Sequence, residues 1–299
     1  MSDSPDFGTH TRRRAPMLPA IGVLRIAVVL AIVVPLLLLG RTEALRAAHV
    51  TTANLARVLE EQTDRSLAVV DAHLSTVVDL WAQLPAGQWP SASRLRGLLT
   101  GKTGESSYVR SMFVLDAGGV MMFHSRAQDV LGRSFSDRAY FQVHRDGNAG
   151  LYVSEMIRGR LTGRWNMMLS RRLNNADGSF AGVVVALLEP DWLERDYADL
   201  DIGPNGLINL RHANGQLVAR KPRLDDSIGQ VLPSTAFLQK AMGSTDSASG
   251  EYESTFDHVQ RLYTARRVGN APLIVLVALS KQDVLASWRR TADFYLGVM

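Results

Sequence analysis

Apolar residues follow three different rhythms along the 299 residues of this chain. The first is unbroken. Residues 26–40, IAVVLAIVVPLLLLG, carry no charge, and residues 15–24, APMLPAIGVL, carry none either, so only Arg25 interrupts the run. About 20 apolar residues cross a bilayer as a helix, and this run exceeds that length. Arg25 lies near one end, where its side chain can reach the headgroups. Pro35 is tolerable within a membrane helix. The pattern predicts a transmembrane helix over residues 17–40. A cleaved signal peptide has the same basic start and apolar centre. The length of the run, and the lack of a small-x-small site after Gly40, favour an anchor that stays.

The second rhythm is helical. Residues 41–84 contain neither Gly nor Pro. Leu45, Ala48, Thr52, Leu55, Leu59, Gln62 and Ser66 alternate steps of three and four, and Val69, Val70, Leu74, Val77, Leu80, Trp81 and Leu84 continue a mainly apolar face. This predicts one long amphipathic helix. At 1.5 Å per residue it would reach about 60 Å from the membrane. Gln62, Ser66 and His73 weaken the seam. Such a face suits packing on the chain's own domain and on a second copy, with the dimer contact nearer the membrane.

The third rhythm is one of short alternating runs broken at glycines, and it is written twice. SMFVLDAGGVMMFHS turns at Gly119 and GLINLRHANGQLVAR turns at Gly215. A second glycine follows each, Gly132 in VLGRSF and Gly229 in SIGQVL. Each half closes with paired arginines and an apolar run, MLSRRLNNADGSFAGVVVALLE and then LYTARRVGNAPLIVLVALS. The offset between the copies is about 95 residues throughout, too long for a solenoid and right for a tandem domain. In the first copy a hairpin is followed by a short helix over 136–145 and strands over 151–156, 165–173 and 180–188. The second has a hairpin turning at 212–215, a helix over 234–242, a polar loop at STDSASGEY, and strands near 250–256, 259–268 and 272–279. The fold class is α+β, two antiparallel-sheet units with helices on one face. Residues 281–295 predict a terminal helix capped by Ser280. Residues 85–107 are loop-rich, with a short helix begun by Ser91 or Ser93.

These patterns divide the chain into a tail (1–16), the membrane helix (17–40), the long helix (41–84), a first unit (85–190), a second unit (191–280) and an exit helix (281–299). The apolar end FYLGVM suggests that the exit helix leads towards a second membrane helix. Arg12, Arg13 and Arg14 precede the apolar run, so the positive-inside rule places the tail in the cytoplasm and residue 41 onward outside. The expected location is therefore a bacterial inner membrane with residues 41–290 in the periplasm. The chain has no cysteine, which excludes disulfides and thiolate metal sites. Its net charge of +4 is spread over scattered arginines, so no nucleic-acid partner is implied.

An anchor, a long helix, two tandem units and an exit helix together resemble the double Cache family of PAS-like extracytoplasmic sensor domains. The most specific matches are LGRSFSDRAYF, GRWNMMLSRRLNNADGSFAGVVVALLEPDWL and SKQDVLASWRR. They look most like the type found in front of diguanylate cyclases and sensor histidine kinases. The resemblance implies that the first unit is membrane-distal and the second membrane-proximal, with a small-molecule site in the distal unit and a cytoplasmic output that these residues do not include. The family's amino-acid binders carry Tyr-x4-Arg-x-Trp-Tyr, and the matching positions here are Arg133, Arg138, Tyr140 and Phe141. Only Arg138 keeps the pattern's residue. The acidic residue that would hold an amine falls near Leu187, with Glu189 close by. What remains is cationic and aromatic: Arg133, Arg138, Tyr140, Phe141, His144, Arg164, Trp165 and Arg171. Arginine forks suit carboxylates, so the expected ligand is a small organic anion held by Arg138 with help from Arg171. Structural roles for the same residues remain open: Arg138 as a helix cap or a partner of Asp137 or Asp116, Tyr140 and Phe141 as core, Trp165 as packing. The second unit lacks a DRAYF-like stretch and is expected to be a structural transmitter.

No two of the seven histidines have ligand spacing on one element, so no metal is expected. No phosphate loop, nucleotide fingerprint or nucleophile elbow is present, and Asp225-Asp226 reads as a turn or helix cap. No cofactor and no catalytic constellation are expected. The pattern therefore favours the input half of a dimeric transmembrane receptor. A membrane-anchored scaffold or solute-binding protein, and an anchored enzyme, are the rivals.

Overall fold

The computed structural model describes residues 17–85, 90–105, 109–160, 163–190, 197, 199–224, 227–232, 235–243, 245–254 and 257–297. They fall into two compact units: residues 48–283, and residues up to 47 together with those from 284.

In the smaller unit, helix α1 (Met17–Ala82) begins and continues without a break through Pro35. Val28, Ile32, Leu36, Leu38 and Leu39 are exposed. From Ala27 the helix is long and apolar enough to cross a membrane by length and composition. A terminal helix over residues 286–297 lies against it. The Trp288 indole N–H donates to the Leu37 carbonyl at 2.7 Å. The Trp288 ring lies beside Gly40, where a Cβ would make an ordinary contact at 3.5 Å.

In the larger unit, α1 supplies one wall of the main core. Ala56, Leu59, Leu67, Val70, Leu74, Val77 and Trp81 are buried there. Three polar members of the seam, Thr52, Thr63 and Ser66, find partners within or across the helix. Thr63 and Ser66 hydroxyls donate to the Leu59 and Gln62 carbonyls, and Thr52 meets Thr264 at 2.9 Å. Thus the seam from Ala48 to Ser66 packs on the chain's own domain.

After α2 (Ala92–Glu105), capped at Ser91 by the Arg94 N–H, come β1 (Val109–Asp116), β2 (Met121–His124), α3 (Ala139–Arg145), β3 (Tyr152–Val153), β4 (Ile157–Arg158), β5 (Trp165–Asn174) and β6 (Phe180–Leu188). They form an antiparallel sheet ordered β2-β1-β6-β5-β3, with β4 on β5. The second half gives β7 (Leu207–His212), β8 (Leu217–Lys221), α4 (Thr235–Met242), β9 (Ser247–Glu253), β10 (Gln260–Arg267) and β11 (Leu273–Ser280), in the equivalent order β8-β7-β11-β10-β9. The repeat extends to single hydrogen bonds. Gly119 N–H donates to Asp116 and Gly215 N–H to His212. Gly132 donates to Met121 and Gly229 to Leu217. All four glycines have positive φ, from 75° to 96°, a conformation that side chains disfavour.

Three expectations need correction. Residues 247–249 were expected in a polar loop but form the start of β9, because pairing with β10 outweighs the weak strand preference of Ser247, Ala248 and Ser249. The strand expected over 151–156 shortens to β3, and β4 forms just beyond it. Ser154 bends the chain between them, accepting from the Met168 N–H and donating to the Glu155 carbonyl. The exit helix breaks at Leu285 into α5 (Lys281–Val284) and α6 (Ala286–Gly297), although Ser280 does cap its start through the Asp283 N–H.

Candidate ligand-binding site

Strand alternation gives the first sheet two faces. On β5, Trp165, Met167, Leu169, Arg171 and Leu173 turn towards α1, and Asn166, Met168, Ser170 and Arg172 turn the other way. Beneath that second face lie Phe113, Leu115, Met121, Phe135, Tyr140, Phe141 and Val185, a separate apolar cluster. A cavity of about 370 Å³ opens here, of the size that takes a small organic molecule. Phe113, Met168 and Leu187 line it from the sheet, Tyr140 from α3, Phe135 from the preceding loop and Ile157 from β4.

Charge in this wall is unbalanced. Arg110, Arg126, Arg138, Arg158 and Arg160 line the cavity, and among the described lining residues the one carboxylate is Asp129. Arg110 is engaged by Glu189 at 2.9 Å and Arg160 by Asp137. Arg158 stacks over the Trp165 ring at 5.0 Å. The guanidiniums of Arg126, Arg138 and Arg158 form no ion pair among the described residues. Arg138 begins α3 without a side-chain capping bond. Asp137 is taken by Arg160, and Asp116 accepts from the Gly118 and Val120 N–H groups in the hairpin turn. The structural roles open to Arg138 are therefore filled by others. Tyr140 is 3% exposed and stands edge-on to Phe113 at 6.2 Å; burial raises its pKa, so the phenol stays protonated. His124 stacks on Phe113. Its Nδ1 accepts from the Arg126 and Ala127 N–H groups, which leaves Nε2–H as its donor. Burial lowers its pKa despite Asp129.

Of the residues expected to form the site, Arg138 and Tyr140 line this cavity. The other six stand elsewhere. Arg133 is exposed on the turn after Gly132. Phe141 points into the core, against Phe180. His144 is fully buried, its Nε2 bonded to Ser170 Oγ at 3.0 Å. Arg164 and Trp165 border a separate cleft of about 380 Å³ with Glu189, Pro190, Arg223 and Ile228. Arg171 lies on the opposite face of the sheet, where its fork holds Asp71 of α1, so it cannot assist Arg138. Alternation along WNMMLSRRLN would have separated Trp165 and Arg171 from Met168. His124, Arg126 and Arg158 carried no such signal, because loops and short strands bring them together. Near the acidic position, Leu187 is an apolar wall of the cavity, and Glu189 is held by Arg110 and, at 3.6 Å, Arg164. Asp225 and Asp226 lie outside the described residues. Among the described residues no group of three His, Asp or Glu could hold a metal ion.

A family model described as a Cache domain matches residues 41–288. Among solved structures, the extracellular domain of rpHK1S-Z16, described as a histidine kinase, is 30% identical with a TM-score of 0.73, over 82% of this chain and 99% of that one. The ligand-binding domain of the Campylobacter jejuni chemoreceptor Tlp3, solved with L-valine, is 12% identical with a TM-score of 0.61, over 82% and 97% of the two chains. The ligand-binding domain of Mlp24, solved with asparagine, is 10% identical with a TM-score of 0.61, over 83% and 98%. At those identities the last two show a common fold. No curated protein matches the chain.

Proposed function

This chain belongs to the Cache domain family, in its double form, over residues 41–288, and from that premise we propose that its first unit senses a small organic anion. The observation that carries this reading is the cavity wall in which Arg126, Arg138 and Arg158 have no carboxylate partner among the described residues. A carboxylate there would meet planar forks suited to bidentate binding, and each charge-assisted hydrogen bond would contribute about 1.5–3 kcal/mol. Phe113, Phe135, Tyr140 and Met168 supply the apolar walls. The second reading is an α-amino acid, as in the solved Tlp3 and Mlp24 domains. Asp129 favours it as a counter-charge for an amine, and the loss of an acid at Leu187 opposes it.

In this reading residues 85–190 form the membrane-distal unit and 191–280 the proximal one, outside a bacterial inner membrane that α1 crosses. The output is a cytoplasmic histidine kinase or diguanylate cyclase, driven from a dimer. A ligand drawn towards Arg158 would move Trp165, whose ring occupies the space a Cβ at Gly229 would need, and so reach the second unit. Such a ligand switches the receptor only by preferring one state.

The test is a thermal-shift titration of the purified chain in detergent against mono- and dicarboxylates, amino acids and amines. A carboxylate is expected to raise Tm by mass action, and Arg138→Ala to weaken that effect at least tenfold. Stabilisation by amino acids, lost in Asp129→Asn, would favour the second reading. A well-folded chain that responds to none of these would refute both.

A further inference from the structure

The register of the first sheet shows how the cavity of the first unit is laid out. Its floor is a row across the strands, in which Ser111 of β1 pairs with Leu187 of β6, and Leu187 with Met168 of β5. These residues all line the cavity. The next row on the same face joins His124, Phe113, Val185 and Ser170. The start of α3 is fastened over that row, since the Tyr140 carbonyl accepts from Ser170 Oγ and the Tyr140 ring stands against Phe113. Arg138 and Tyr140 thus form one end of the cavity. Asn166 marks the other. It lies four residues from Ser170 along β5, a distance of about 13 Å, and pairs with Ile157 of β4, beside Arg158.

The two ends have different hydrogen-bonding needs. Tyr140 and Asn166 are 3% and 2% exposed, and both line the cavity. Among the described residues the Tyr140 hydroxyl forms no hydrogen bond. Asn166 Nδ2 donates to the Arg164 carbonyl at 2.8 Å, and its Oδ1 receives no donor among the described residues. Buried polar groups are seldom left unsatisfied, so an occupant of the cavity has to supply both partners. At the α3 end the Arg138 fork and the Tyr140 O–H both donate, which suits a carboxylate. At the β4 end Asn166 Oδ1 accepts, so the occupant must donate. A second carboxylate has no proton to give and would face the amide oxygen. An ammonium has protons, but it would be repelled by Arg158, which enters the cavity from the neighbouring strand. A neutral hydroxyl donates without that repulsion.

We propose that the ligand of this cavity is an aromatic carboxylate with a hydroxyl on the far side of its ring. The carboxylate meets Arg138 and Tyr140, and the hydroxyl donates to Asn166 Oδ1. This ligand class rests on the organic-anion reading of the cavity and narrows it. The space between the two ends is walled for a ring. Phe113 stands edge-on to Tyr140 at 6.2 Å and tilted to Phe135 at 6.5 Å, and a further ring can meet their faces and edges in the arrangements that aromatic groups favour. Met168 on the floor adds a polarizable thioether. A ring also spans the two ends without the conformational freedom that an aliphatic chain loses on binding. Asn166 is then a specificity-determining residue. A ligand without the hydroxyl leaves its oxygen buried and unpaired, the situation in which a site discriminates most strongly.

The experiment is a calorimetric titration of the full chain in detergent with 4-hydroxybenzoate, 4-methylbenzoate, benzoate and succinate. 4-Hydroxybenzoate is expected to bind at least about tenfold more tightly than benzoate or succinate. 4-Methylbenzoate, similar in size but without a proton to donate, is expected to lose that advantage. Asn166→Ala is expected to weaken 4-hydroxybenzoate to the level of benzoate and to leave benzoate unchanged. Should that variant fail to fold, the ligand series in the native chain decides alone. The proposal is overturned if 4-hydroxybenzoate does not bind, if benzoate or 4-methylbenzoate binds as tightly, if succinate binds more tightly than the aromatic acids, or if a folded Asn166→Ala keeps the preference. Each of these outcomes leaves the organic-anion reading standing, whereas a folded chain that binds no carboxylate at all refutes both.

Discussion

Paired arginines in β5 and β10 divide their work by strand alternation. Arg171 and Arg266 turn to α1 and hold Asp71 and Glu60. Arg172 and Arg267 turn to the other face, where they donate to carbonyls at the ends of the short helices: His144 in the last turn of α3 and Gly147 after it, Gly243 and Thr245 after α4. A cation at a helix C-terminus satisfies orphan carbonyls and complements the dipole. Beneath Arg172, His144 is enclosed. Ser170 donates its hydroxyl to the Tyr140 carbonyl and so accepts from His144 Nε2–H. Burial lowers the His144 pKa from 6.5 to about 4. The unfolded chain therefore binds a proton that the folded chain refuses, and stability present above pH 6.5 is lost as pH falls towards 4. At full effect the loss is roughly 3 kcal/mol. Denaturant melts across this range are expected to show the decline, and His144→Gln to flatten it; an unchanged slope in the variant would place the titration on another group.

Among the elements, α1 is the organising one. Glu60 and Asp71 are separated by about three helical turns, which matches one sheet to each carboxylate. Both ion pairs are half-buried, with side-chain exposures of 29% and 25% for Arg171–Asp71 and 29% and 20% for Arg266–Glu60, so they are screened less than surface pairs. Double-mutant cycles with Arg171→Met and Asp71→Leu, and with Arg266→Met and Glu60→Leu, are expected to give coupling energies of about 1–2 kcal/mol in each case. A value near zero would reduce these contacts to surface pairing. The hairpin between β1 and β2 depends on Gly119, with φ of 79° and an imagined Cβ only 2.7 Å from Ser136 Cα. Because backbone is in the way, Gly119→Ala should destabilise the chain by roughly 1–3 kcal/mol in denaturant melts.

For the whole molecule the lack of cysteine is an experimental advantage, since any introduced thiol is the only one. Val50, Val58 and Val69 leave α1 on its exposed side, 54%, 53% and 44% accessible, while the seam facing the sheets is filled from within. If receptor dimers form along α1, Val58→Cys in membranes should cross-link on mild oxidation, whereas Asn148→Cys, on the exposed turn after α3, should not. Equal cross-linking at both positions would reflect random collision.

The sequence by itself determined the apolar run, the long helix and the duplication, because these rest on local periodicity and on glycines whose backbone no other residue adopts cheaply. LGRSF and SIGQVL announced equivalent turns, and the two Arg-Arg pairs announced equivalent strands. Arg138 and Tyr140 were also legible as cavity residues, through a motif that runs continuously into α3. Tertiary structure alone decided what each arginine meets. Arg171 looked like a ligand fork until α1 placed Asp71 beneath it, and Arg158, which no motif singled out, lines the cavity because β4 places it there. The physical reason is that a charge is defined by its partner. Partners such as Asp71 and Arg171, far apart in the chain and on different elements, leave no mark in local pattern.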